Sequence, residues 1–217
     1  MPSSYEPALA DVVSKAIERL TVRNRSRERA LPISREVIRF SANAIRAVHR
    51  GHLEEADKLI AQGRARLEDA ETFRQDTPEI YFAPFMSDAR KEFAEANVTY
   101  AVISGGAIPQ PEDLGIDPPA YLNGLAEVIG ELRRYILDSL RRDSFDRCQE
   151  LMDVMDEIYG ILVTVDFPEG VTGGLRHSTD QMRGVLERTR GDLTMALRQS
   201  KLEMQLAQWE DRRLNTL

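Results

Sequence analysis

Residues 118–137 read Pro118-Pro119-Ala120-Tyr121-Leu122-Asn123-Gly124-Leu125-Ala126-Glu127-Val128-Ile129-Gly130-Glu131-Leu132-Arg133-Arg134-Tyr135-Ile136-Leu137. The period of this stretch decides the fold. Leu122, Leu125, Ile129, Leu132 and Ile136 recur every three or four residues, so they share one side of an α-helix. The leading proline pair fits, because first-turn N–H groups have no partner within a helix. The same period recurs along the chain, and no stretch alternates apolar and polar residues over a strand's length. The pattern predicts an all-α fold of about seven helices, over 5–30, 34–50, 52–75, 87–104, 118–142, 144–163 and 173–210, with antiparallel neighbours joined by short loops. The boundaries follow local rules. Pro32 is expected to bend or interrupt the first helix, with Ser34 capping the next. Gly51 ends the second helix, and Ser87 caps the helix over 87–104. Asp143 or Ser144 caps the helix after 142. The segment 77–85 reads as a short aromatic turn, 105–119 as an ordered connector, and 166–174 as a breaker.

Composition suits one helical domain over 1–217, with termini that are either frayed or used in assembly. Of the 217 residues, 42% are hydrophobic and only 6% aromatic, so the core is aliphatic, and 30% are charged. No apolar run reaches the roughly 20 residues of a membrane span, and the opening MPSSYEPALADVV lacks the pattern of an export signal. The single cysteine, Cys148, excludes an intrachain disulfide and fits a reducing cytoplasm. It falls at a core position, where a small buried hydrophobe is expected rather than a nucleophile.

Two acidic elements carry the chemistry. Glu92 and Glu95 lie three apart on one predicted helix, and Glu127 and Glu131 lie four apart on another. Each pair points two carboxylates the same way. Such pairs often decorate solvated helix faces. Here Glu127 lies between Leu125, Ile129 and Leu132, and Glu92 and Glu95 sit beside Phe93, Ala94 and Ala96, where a lone charge is costly. Among other constellations, no phosphate-binding glycine loop, C-x-x-C, H-E-x-x-H or E-x-x-H is present. Four all-oxygen donors suit a hard cation, Mg²⁺ or Mn²⁺. On a phosphodiester, such a metal would activate water and neutralise developing charge.

Charge is uneven. The net charge is −7, yet between Lys15 and Arg50 ten Lys or Arg stand against three acids. This segment is either a phosphate-binding face or a solvated helix surface.

Tyr121–Arg134 resembles the signature of the translin superfamily, and the run SANAIRAVHRG at 41–51 resembles that family's second-helix motif. Resemblance spans about residues 34–200. It implies a seven-helix protein that assembles into closed, often octameric shells around RNA or single-stranded DNA. One branch, translin, chiefly binds nucleic acid. The other, translin-associated factor X, carries a metal-dependent endoribonuclease site of the form E-x-x-E on one helix and D-x-x-x-E on a later one. Glu92 and Glu95 match the first pair, and Glu127 and Glu131 the second, with Glu127 standing where that branch has Asp and reaching one methylene further. The resemblance therefore implies a cytoplasmic, Mg²⁺-dependent endoribonuclease acting on single-stranded or partly paired RNA in a homo-oligomeric shell, with the four glutamates as metal ligands and catalytic groups. It also weights Arg35, Arg39, Arg46, Arg50, Arg133 and Arg134 toward phosphate contact rather than ion pairing. The alternatives are a catalytically silent shell that binds single-stranded RNA or DNA, and a helical scaffold for other proteins.

Overall fold

A computed structural model describes residues 5–214, with side chains through Arg212. Residues 1–4 of the opening segment and 215–217 of the C-terminal tail lie outside the described residues. The order is α1 (Glu6–His49), α2 (Leu53–Ala70), α3 (Thr72–Asp76), α4 (Pro78–Tyr81), α5 (Pro84–Ser104), α6 (Pro111–Leu114), α7 (Pro118–Leu140), α8 (Cys148–Leu162), α9 (Glu169–Thr172) and α10 (Leu175–Leu214). Among the described residues there is no strand, and no helix is long and apolar enough to cross a membrane. The all-α expectation holds. Six of the helices are long and four are single turns or little more. The chain divides into two compact units, one ending at Ile116 and the other beginning at Asp117.

In the first unit α1, α2 and α5 pack on one another. The buried residues of α1 include Ala30, Ser34, Val37, Ser41, Ala44 and Val48, a stripe of three- and four-residue steps dominated by small side chains. Gly51 turns the chain from α1 into α2 with φ +76°, a left-handed conformation glycine adopts without steric cost. The His52 N–H then donates to the Ala47 carbonyl (2.9 Å), closing the helix end. Between α2 and α5 the decisive residue is Gly63. A Cβ there would lie 3.2 Å from two ring carbons of Phe93, and Phe93 is fully buried. The missing side chain lets the ring of α5 seat against the backbone of α2.

The interruption expected at Pro32 does not occur: α1 runs through it. Proline removes one helical hydrogen bond and crowds the preceding turn, at about 3 kcal/mol. Packing on both sides holds the helix together. Ala30 and Ile33 join Phe73, Ile80, Tyr81 and Met86 in one cluster. Ser34, expected as a cap, is mid-helix, and its Oγ donates to the Phe85 carbonyl (2.8 Å). Ser87 is no cap either, because α5 begins a turn earlier with Pro84 in its first turn. The connector over 105–119 contains the turn α6, closed by a reciprocal capping box between Gln110 and Asp113.

In the second unit α7, α8 and α10 pack on one another. Val128, Ile129, Leu132 and Ile136 of α7 are buried, as are Leu151, Met155 and Leu162 of α8 and Leu175, Leu186 and Leu193 of α10. Asn123 ties three elements together. Its Nδ2 donates to the carbonyls of Thr172 (2.7 Å) and Pro119 (2.8 Å), and its Oδ1 accepts from the Ser178 hydroxyl (2.9 Å). The expected cap at Asp143 or Ser144 is not used. Asp143 takes φ +54°, and α8 starts after Arg147. The breaker over 166–174 holds the single turn α9. Cys148 is 2% exposed, and burial pushes its thiol above the ordinary range, which keeps it protonated and inert.

Candidate metal and nucleic-acid-binding residues

Glu92 and Glu95 occupy successive turns of α5. Phe93, Ala94 and Ala96 around them are fully buried, and Glu95 itself is 7% exposed. Phe93, Ala94, Ala96 and Val98 give this part of α5 small or apolar sides, so the helix packs closely even though Arg90, Lys91 and Asn97 lie on the same stretch. The two glutamates each bring one carboxylate oxygen to within 4.8 Å of the other. Lys91, absent from the sequence candidates, places its Nζ 3.4 Å from a Glu92 carboxylate oxygen. The only signal for it was adjacency: a cation immediately before the first acid of the pair.

On α7, Glu127 and Glu131 are both half-buried, on a helix whose neighbouring Ala126, Val128 and Ile129 are fully buried. Glu131 has the Arg134 guanidinium 3.6 Å away. Arg133 is committed within its own unit. It donates to the Thr189 hydroxyl (3.0 Å) and pairs with Asp192 (2.9 Å), so it fastens α7 to α10.

Arg35, Arg39, Arg46 and Arg50 are exposed. At 100° per residue the four fall within an arc of about 60° on α1. They form one straight stripe, spanning about 22 Å along the axis. Arg46 donates to Asn43 Oδ1 (2.5 Å). Arg39 lies over the Phe40 ring (5.2 Å) and stands 3.9 Å from Glu36, whose carboxylate is held more closely by Arg66 (2.7 Å). The stripe thus presents guanidinium groups to solvent with little competition from acids.

No protein-family model matches the chain. The Methanocaldococcus jannaschii protein MJ0175 is 32% identical over 201 residues, covering 90% of this chain and 87% of its own length. Among solved structures, AfC3PO in complex with duplex RNA matches with a TM-score of 0.78 and 35% identity, over 85% of this chain and 95% of its own. AfC3PO alone matches equally well, with a TM-score of 0.78 and 34% identity. The apo form of NeC3PO, at 19% identity and a TM-score of 0.74, shares the fold. With its acidic pairs, its signature over Tyr121–Arg134 and these relatives, the chain belongs to the translin superfamily, on the side of translin-associated factor X.

Proposed function

We propose that the protein is a Mg²⁺-dependent endoribonuclease that cleaves single-stranded or partly paired RNA within a homo-oligomeric shell. The observation that carries this is the pair Glu92 and Glu95, with one carboxylate buried and oxygens within 4.8 Å. Setting the buried Glu95 carboxylate beside the half-buried Glu92 is unfavourable. The Lys91 ammonium 3.4 Å from Glu92 offsets part of that repulsion, and a hard cation on this all-oxygen donor set, Mg²⁺ or Mn²⁺, would offset the rest. Glu92 and Glu95 would hold the ion, with Glu127 and Glu131 supplying the remaining carboxylates and one of the four acting as general base. The bound cation would supply Lewis-acid stabilisation of the phosphodiester and a more acidic water. Arg35, Arg39, Arg46 and Arg50 would hold the RNA backbone through its phosphates. RNA as the ligand is supported by the likeness to AfC3PO, solved with duplex RNA.

The test is cleavage of short end-labelled RNA with Mg²⁺ and with a chelator, beside calorimetric titration of Mg²⁺. Metal-dependent cleavage lost in Glu127→Ala is expected. Undiminished cleavage by that variant, or none by the wild type, would overturn the catalytic reading. RNA retention without cleavage would support a silent binding shell, for which the longer reach of Glu127 is the specific observation.

A further inference from the structure

The first 20 residues of α1 are a feature the proposed chemistry does not use. Every residue from 5 to 25 is exposed. Yet this arm carries Leu9, Val12, Val13, Ala16, Ile17 and Leu20 within an arc of about 140°, an apolar face on an otherwise polar helix. The large members are between 55% and 64% exposed. On the opposite face, Lys15 and Asp11 pair with each other (2.6 Å), which leaves that side to water. At roughly 100 Å² of apolar surface per side chain, covering six gives on the order of 600 Å² on each partner, approaching the ~800 Å² per partner of a standard stable interface.

We propose that this arm is covered by the same arm of a second copy of the chain, running antiparallel. Sequence spacing sets the register. Leu9, Val13, Ala16 and Leu20 follow alternating steps of four and three, the seam of a coiled coil, and Glu6 and Arg23 extend the same seam at its two ends. In the antiparallel register Leu9 faces the partner's Leu20, Val13 faces the partner's Ala16, and Glu6 faces the partner's Arg23. Each contact occurs twice about the two-fold axis. A parallel pair in register would instead set Glu6 on Glu6 and Arg23 on Arg23, burying like charges together. Charge pattern and apolar spacing select the same arrangement. The inference deepens the homo-oligomeric part of the proposed function by naming one of its surfaces, and it is independent of nuclease activity.

The experiment is site-directed disulfide formation in the full chain, with light scattering after size-exclusion chromatography. The native Cys148, 2% exposed, serves as a silent background, verified with the wild type. Leu9→Cys and Leu20→Cys chains, mixed and mildly oxidised, are expected to form a cross-linked dimer. Each variant alone forms none, since identical positions lie about 16 Å apart along the antiparallel pair. Glu6→Arg and Arg23→Glu should each weaken association about tenfold, and together restore it. Cross-linking of Leu9→Cys with itself overturns the antiparallel register. An oligomeric wild type with no 9–20 cross-link overturns the inference alone; loss of association in Leu206→Asp would then give the role to α10, where Leu202, Leu206 and Trp209 are exposed at helical spacing. A monomeric wild type overturns this inference and the oligomeric reading together.

Discussion

Replacing Glu95 by Gln should give a protein more stable than the wild type in chelator and less stable than it in saturating Mg²⁺. In the wild type the Glu92 and Glu95 oxygens lie within 4.8 Å. Two unit charges at that distance repel by about 3.5 kcal/mol at an effective dielectric of 20 and by about 1 kcal/mol in bulk water. Glu95 is 7% exposed and Glu92 has a side-chain exposure of 27%, so the site lies between these limits. The Lys91 ammonium, 3.4 Å from Glu92, offsets part of the repulsion. Glu95→Gln keeps the volume and removes one charge. In chelator the variant should therefore be more stable than the wild type, by about 1–2 kcal/mol. A ligand at a hundredfold its Kd stabilises the folded state by about 2.7 kcal/mol. Saturating Mg²⁺ should thus raise the wild type by that order and the variant by much less, so that the ranking inverts. Urea unfolding followed by circular dichroism, in chelator and across a Mg²⁺ titration, reads both limbs. A wild type indifferent to Mg²⁺, or equal gains in both proteins, would refute the assignment of this pair to a cation.

Arg90 is 2% exposed, stacks 3.9 Å from the Tyr81 ring centroid and donates to the Tyr81 carbonyl (2.9 Å). Arg90→Ala should cost about 3 kcal/mol in urea unfolding, and Arg90→Met clearly less, because Met refills the space without a buried charge. Tyr81 is held protonated above its ordinary range by burial, helped by its hydrogen bond to Glu71 (2.6 Å). Its folded pKa exceeds its unfolded value, so its contribution is complete below about pH 10 and is lost as pH rises through the folded pKa. Stability curves of wild type and Tyr81→Phe between neutral and strongly alkaline pH should show a steeper alkaline loss in the wild type. Finally, Arg46→Ala and Arg50→Ala should each lower the slope of log affinity for RNA against log salt by about 1, while Arg133→Ala, whose side chain is engaged by Thr189 and Asp192, should act mainly on stability.

The long helices were legible because their apolar period survives in any environment. Their ends were less so, because several are decided by partners distant in sequence. Nothing local around Pro32 announces that Ala30 and Ile33 will meet Phe73 and Tyr81, yet that contact carries the helix through a proline. Ser34 and Ser87 look like caps, but Ser34 is used across the core by Phe85, and Pro84 gives α5 an earlier start. At the candidate site, the glutamate pairs could be picked out because burial beside alanine and phenylalanine is a sequence-visible liability. The commitment of Arg133 to Asp192 on α10 was not visible, since the partner lies 59 positions away. Nor was the close seat of Phe93, which depends on a glycine, Gly63, in another helix.

The unbroken course of α1 has a geometric consequence. It is a 44-residue rod, about 66 Å long, with the apolar arm at one end and the arginine stripe at the other. The two faces are keyed to a common shaft, so the azimuth of one sets the azimuth of the other. One residue inserted near position 27 would turn the arm by about 100° relative to the stripe, whereas seven would nearly restore the setting. The protein thus specifies where its arginines point through a phase angle counted in residues, and Pro32, which would loosen that count in an isolated helix, is clamped where slippage would matter.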